Sequence, residues 1–198
     1  MLAPAALPQL TPDPVAAPVT PRPAPLPVGL VADIAAGIAK VPDAWRHLVR
    51  HDPDGRHPVR LLATSAYEVW VIGWTQGQGV RPHDHGGSSA AVMVTEGELV
   101  EVDLLGHERR MVPGNVLRLG PGVVHDVVNR GDVPATSIHV YSPPLSSMTY
   151  YDPATWEADE TVRVESETPV LSGWHGANLL HPARRRPGAA ASATGGRS

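Results

Sequence analysis

The chain has 198 residues, a net charge of −4, 42% hydrophobic and 18% charged residues, and no cysteine. That length suits one domain with extensions, and it suffices to bury a core. The near-neutral charge and the lack of a long apolar run argue against a nucleic-acid partner or a membrane span. Without cysteine there are no disulfides, thiolate ligands or cysteine nucleophiles, so any metal falls to His, Asp and Glu. The Met1-Leu-Ala-Pro start lacks the basic and apolar stretches of a signal peptide, which makes a cytoplasmic location the expectation.

Residues 1 to 28 hold nine of the 22 prolines, as in "TPDPVAAPVTPRPAPLPV". Proline fixes φ and donates no amide, so residues 1–27 are expected to form an extended, disordered arm. In "GLVADIAAGIAKVPDAWRHLVR", Leu30, Ile34 and Ile38 recur every four residues and predict a helical stripe. Pro42 splits the segment into two short helices.

From residue 58 the apolar period becomes two. "VRLLAT", "YEVWVIGWT", "SAAVMVTEG", "ELVEVDLL", "NVLRLG", "HDVVN" and "TSIHVYSPP" are β-branched or aromatic runs separated by Gly, Pro, Asn or Asp. They predict an all-β fold, an antiparallel jelly-roll or cupin barrel with short N-terminal helices. The gaps between runs are too short for crossover helices. "DETVRVESETPV" adds one or two strands, and the domain is expected to span 28–175. "RRRPGAAASATGGRS" reads as part of a flexible tail over 176–198.

Of ten histidines, His47, His51, His57, His107, His175 and His181 lie beside polar residues or turn formers and are expected at the surface. His83, His85, His125 and His139 lie in the strand region. Residues i and i+2 of a strand share a face, so His83 and His85 can reach one metal. Alone, such a pair is equally well read as solvated or satisfied in the core. The wider spacing is more specific. Gly77-x5-His83-x-His85-x4-Ala90-x6-Gly97 and Gly114-x5-Gly120-x-Gly122-x2-His125-x3-Asn129 resemble the two cupin motifs. Three imidazoles suit Fe, Zn, Cu or Ni. Ala90 stands where the cupin glutamate is usual, and Asp84 and Asp126 are expected to face away from the site. Neutral ligands leave the metal its full charge and favour anionic substrates; zinc hydrolysis is the competing chemistry.

"HDHGGSSAAVMVTEGEL" joined to "GPGVVHDVVNRGDVPATSIHVYSPPL" resembles the type I cysteine dioxygenases, over roughly residues 28 to 152. The resemblance implies a cupin that binds Fe(II) through His83, His85 and His125 and adds O2 to the sulfur of L-cysteine, giving cysteine sulfinate. It implies a relay of Ser137, His139 and Tyr141 from "SIHVYSPP", whose alternation puts the three on one face. It assigns the substrate carboxylate to Arg60, which a planar guanidinium suits. It also implies a cis peptide at Ser142-Pro143. Trp74 and Val80 line the pocket or pack the core, and "GGSSA" reads as the pocket floor. Animal members carry at Ala90 a cysteine cross-linked to the tyrosine, so here Tyr141 is unmodified. They also carry a tyrosine where Pro58 stands, which raises 3-mercaptopropionate as the alternative thiol. Relatives using that thiol commonly carry glutamine at the position of Arg60. A non-catalytic metal- or ligand-binding cupin is the alternative of another class. A monomer acting on a small thiol and O2 is the expectation.

Overall fold

The computed structural model describes residues 22–164. Among these residues one α-helix, α1 (Val28–Ala39), is followed by two single turns of 3₁₀ helix, Pro42–Ala44 and Arg46–Leu48. The second predicted helix is therefore replaced by these turns, since a segment this short cannot offset helix nucleation. Trp45 is buried between them and donates from Nε1 to the Ile38 carbonyl at 2.9 Å. The predicted stripe is also rotated: Leu30 is 46% exposed, and the buried face is Val31, Ala32 and Ala35, with Ile34 and Ile38 at its flanks. Small side chains let the helix axis come closer to the sheet than a leucine would.

Thirteen short strands follow among the described residues. A hairpin of β1 (His51–Asp52) and β2 (Gly55–Arg56) precedes two facing antiparallel sheets. One sheet runs β3 (Val59–Ala63), β4 (Glu68–Trp74), β11 (Ala135–Ser142), β6 (Ser89–Glu96), β9 (Val116–Leu119). The other runs β13 (Ala158–Arg163), β12 (Ser147–Tyr151), β5 (Gly79–His83), β10 (His125–Val128), β7 (Leu99–Asp103), β8 (Glu108–Met111). The architecture is the expected all-β jelly roll.

The core has two layers. Trp70, Ile72, Trp74, Val92 and Val94 face the space between the sheets. Val69, Val71, Ala91, Ile138 and Val140 point the other way, under α1. Strands β4 and β11 are buried along their whole length for this reason. All seven predicted runs form strands. Strands β5, β8 and β12 were not predicted: β5 contains Pro82, β8 is a charged edge, and β12 is "SMTYY". "DETVRVESETPV" contributes to β13, and its remainder lies outside the described residues.

Residues 22–27 are held against the domain: Arg22 Nη2 donates to Ser88 Oγ at 2.9 Å and to the Pro144 carbonyl at 2.7 Å. The Leu26 amide donates to Ser142 Oγ at 3.0 Å. Residues 1–21, the domain end at 175, the tail 176–198, His175 and His181 lie outside the described residues. His47, His51 and His107 are exposed; His57 is half-buried and 2.9 Å from Asp52 Oδ2. No described helix is long and apolar enough to cross a membrane.

Candidate metal centre

Antiparallel pairing of β10 with β5 sets His125 directly opposite His83. His83 is the last residue of β5, so His85 lies just beyond the strand, before a turn at Gly86, whose φ is 56°. The two histidines therefore do not share a strand face as expected; the loop returns His85 to the same point. Asp84 holds that loop. Its Oδ1 accepts from the Gly86 amide at 2.7 Å, and its Oδ2 accepts from Tyr151 Oη at 2.6 Å. Asp84 is thus occupied away from the histidines.

One potential ligand nitrogen from each of His83, His85 and His125 lies within 4.8 Å of the others, and all three residues are buried. Their ring centroids are 4.6–5.3 Å apart. His83 Nδ1 donates to the Arg81 carbonyl at 2.9 Å, which leaves Nε2 with its lone pair free to bind. His85 Nδ1 and both ring nitrogens of His125 are buried and have no hydrogen-bond partner among the described residues. Buried polar atoms are rarely left so. Burial lowers the pKa of His83 to about 4 and holds those of His85 and His125 well below the usual value. All three are therefore neutral imidazoles at physiological pH, the form that binds a metal. Converging, unpartnered, neutral nitrogens fit a divalent ion with nitrogen ligands.

Beside the histidines runs a hydrogen-bonded chain. Trp74 Nε1 donates to Ser137 Oγ at 2.8 Å, Ser137 Oγ lies 2.8 Å from His139 Nε2, and His139 Nδ1 lies 3.1 Å from Tyr141 Oη. The indole can only donate. The buried Ser137 proton then finds its acceptor in His139 Nε2, which puts the imidazole proton on Nδ1, donating to Tyr141 Oη. Burial lowers the His139 pKa to about 3, so this imidazole carries one proton. Burial also pushes the Tyr141 phenol above its ordinary value. The Tyr141 proton is accordingly retained and not used within the chain. The Tyr141 ring lies 5.0 Å from that of His85. Ala90 sits opposite Tyr141 on β6, fully buried, so a longer side chain there would run into the tyrosine.

Trp74 and Val80 both belong to the inner core cluster. The Ser142-Pro143 peptide is cis. In the "GGSSA" run Ser88 is buried and donates to the Pro143 carbonyl at 2.8 Å, which ties it to the loop after β11.

Arg60, on β3, is 9% exposed. Its Cζ lies 5.5 Å from the Trp70 ring centroid, and its Nη1 is 3.6 Å from Glu68 Oε2. A second buried arginine escaped the sequence reading. Arg56, on β2, is equally buried and places its Cζ 4.8 Å from the Trp74 ring centroid. Its charge acts on His83, His139, Tyr141 and Tyr150. Tyr150 is also new: it is paired with His83 across β12 and β5, with ring centroids 6.1 Å apart. Neither residue belongs to a periodic run that would have singled it out.

The sequence model of the family described as "Cysteine dioxygenase type I" matches residues 22–154. Solved structures similar to the chain include an uncharacterized conserved protein with a double-stranded β-helix domain from Klebsiella pneumoniae. It is 24% identical, with a TM-score of 0.46, over 50% of this chain and 85% of that one. The protein TT1209 from Thermus thermophilus is 25% identical, with a TM-score of 0.46, over 50% and 93% of the two chains. A sugar phosphate isomerase of the cupin superfamily from Silicibacter pomeroyi is 30% identical, with a TM-score of 0.44, over 56% and 77%.

Proposed function

Because the chain belongs to the type I cysteine dioxygenase family, we propose that it is a mononuclear non-haem iron(II) thiol dioxygenase converting L-cysteine and O2 to cysteine sulfinate. The observation that carries this reading is the convergence of three buried imidazoles, each with a nitrogen that can bind a metal, within reach of a hydrogen-bonded tyrosine. His83, His85 and His125 would hold the iron. Iron(II), when bound there, supplies the redox chemistry that couples O2 to a thiol.

The protein's residues do the rest. Three neutral imidazoles contribute no negative charge, so the site favours a substrate that arrives as an anionic thiolate. His139 accepts from Ser137 and donates to Tyr141, which orients the phenol and leaves its proton available to the reacting atoms. Burial of Tyr141 and His139 keeps water from competing for that proton. For the substrate's carboxylate the resemblance assigns Arg60, and the same region of the sandwich also offers Arg56. A non-catalytic cupin would have no use for the directed chain from Trp74 to Tyr141.

The test is direct. Iron-loaded protein incubated with L-cysteine in air is expected to consume O2 and release sulfinate. Absence of sulfinate from L-cysteine and from 3-mercaptopropionate, both at saturation, rejects a thiol dioxygenase. Comparing kcat/KM for the two thiols decides the substrate, which Pro58 leaves open because it supplies no phenol beside the arginines.

A further inference from the structure

His83 and His85 are oriented in different ways. The His83 ring is fixed by its own hydrogen bond, from Nδ1 to the Arg81 carbonyl at 2.9 Å. The buried Nδ1 of His85 has no such partner among the described residues. Metal-binding histidines are ordinarily aimed by a hydrogen bond at the second ring nitrogen. For His85 the aim has to come from the main chain instead, and that chain is tied on both sides of it. The Asp84 amide donates to the Thr149 carbonyl at 2.9 Å, and the Gly122 amide donates to the Gly86 carbonyl at 3.0 Å. Gly86 lies so close to β12 that a Cβ there would come within 2.7 Å of Ser147 Oγ.

Asp84 is the centre of these ties. Tyr150 pairs with His83 and packs into the inner core beside it. Neighbours on a strand face opposite ways, so Tyr151 emerges on the outer face of β12. There its hydroxyl donates to Asp84 Oδ2 at 2.6 Å, while Oδ1 accepts from the Gly86 amide at 2.7 Å. The carboxylate therefore joins both flanks of His85: it belongs to the residue before, it bonds the residue after, and it is anchored to β12. Removing a donor from a buried acceptor costs more than the bond itself, so the carboxylate has a strong preference for this one arrangement. β12 is backed in turn by β13, which Arg81 ties to β5 through ion pairs with Asp159 and Glu160.

We propose that Asp84 and Tyr151 are positioning residues for the metal centre, a clamp that aims His85 and thereby sets how tightly the three histidines hold a divalent ion. This rests on the three-histidine centre of the reading above and not on its chemistry. The clamp does for His85 what the Arg81 carbonyl does for His83. It also makes β12, a strand that supplies no ligand, part of what determines metal affinity. The phenol acts only through the carboxylate, so the two side chains work as one unit.

The experiment titrates cobalt(II) into metal-free wild type, D84A, D84N, Y151F, D84A/Y151F and G106A against a competing chelator. Visible absorption reads both the affinity and the ligand geometry, and the melting temperature of each metal-free protein is taken alongside. D84A is expected to weaken cobalt binding about ten- to a hundredfold and to change the absorption band, and Y151F to weaken it about tenfold. D84A/Y151F should match D84A within about twofold, since residues that act as a unit are not additive. D84N can still accept from Gly86 and can donate to Tyr151 Oη, so it should stay within about threefold of wild type. G106A, in the left-handed turn between β7 and β8, lowers stability away from the site and should bind cobalt like wild type. The proposal is overturned if D84A and Y151F bind like wild type, if their losses multiply in the double variant, or if D84N falls as far as D84A. It is equally overturned if G106A loses as much affinity as Y151F, or if wild type binds no cobalt. Wild type that binds cobalt but, loaded with iron, makes no sulfinate would reject the dioxygenase reading alone, and the variants' affinities would still judge the clamp.

Discussion

Trp74 donates its indole N–H to the Ser137 hydroxyl at 2.8 Å, from β4 to the neighbouring strand β11. The pair are diagonal neighbours, since Ser137 pairs with Ile72 and Trp74 pairs with Ala135. The contact gives the relay a direction. A donor-only group at one end forces each proton one step along, so that Tyr141 ends with a proton of its own to give. Ser137→Ala removes both bonds of the hydroxyl and strands the Trp74 N–H and His139 Nε2 in the core. Leaving buried groups unpaired costs about 1–3 kcal/mol, which chemical denaturation would measure. A loss below about 0.5 kcal/mol would mean that the chain is not a satisfied network.

Tyr141 itself should be dispensable for the metal. Its ring packs 5.0 Å from that of His85, and its hydroxyl bonds to His139. Tyr141→Phe keeps the packing and removes only the oxygen. The expected outcome is unchanged iron content with sulfinate formation reduced about a hundredfold, the range for loss of a positioned proton donor. Iron lost in parallel with activity would place the tyrosine in support of the histidines instead.

His125→Ala tests the triad from the second sequence motif. It removes the one ligand contributed by β10 and leaves His83 and His85 on either side of Asp84. Metal content after dialysis should fall to background. The melting temperature of the metal-free variant should stay near that of metal-free wild type, because the lost imidazole had no hydrogen bond to lose. Retention of stoichiometric iron would remove His125 from the ligand set.

The triad and relay were legible because each rests on local spacing. Glycines at fixed offsets frame His83, His85 and His125, and period-two alternation alone predicts that Ser137, His139 and Tyr141 share a face. Arg56 and Tyr150 were not legible. Arg56 sits on a two-residue strand with no period to read, and Tyr150 meets His83 only through the pairing of β12 with β5. The role of Trp74 depends on the β4–β11 register, which no single run encodes. The helix stripe was displaced, not absent, for a different reason: Ile34 and Ile38 flank a buried face that runs through Ala32 and Ala35, and alanines carry little apolar signal.

Acid should destabilise the metal-free protein before its carboxylates titrate. The pKa of His83 falls from 6.5 to about 4 and that of His139 to about 3, both chiefly by burial. Across that window the unfolded chain binds more protons than the folded one, so stability rises with pH and is lost as pH drops below 6.5. Glu68 opposes this, because its burial raises its pKa and the folded state takes up its proton first. With four buried histidines shifted one way and Glu68 and Glu101 the other, the net direction is loss. The melting temperature of metal-free protein should be lower at about pH 5 than at about pH 7.5, and bound metal should widen the gap at the higher pH. A flat profile would mean that the imidazoles are hydrated in the folded state.

Gly97 occupies the turn between β6 and β7 with φ at 66°. A Cβ there would meet the Pro134 carbonyl oxygen and come within 2.7 Å of Ala135 Cα, at the entry to β11. Gly106, in the β7–β8 turn, has φ at 80° and nothing within 4 Å of the same position. The two glycines therefore share the backbone requirement and differ in the close approach. Left-handed backbone alone costs a side chain about 1–2 kcal/mol. Gly106→Ala should lose about that much, and Gly97→Ala should lose clearly more, since β11 must shift to admit the methyl. That shift would move Ser137, His139 and Tyr141 together. Sulfinate formation by folded, iron-loaded G97A should fall while that of G106A does not. Equal losses of stability in the two variants would show that the approach of Gly97 to β11 does not constrain the strand.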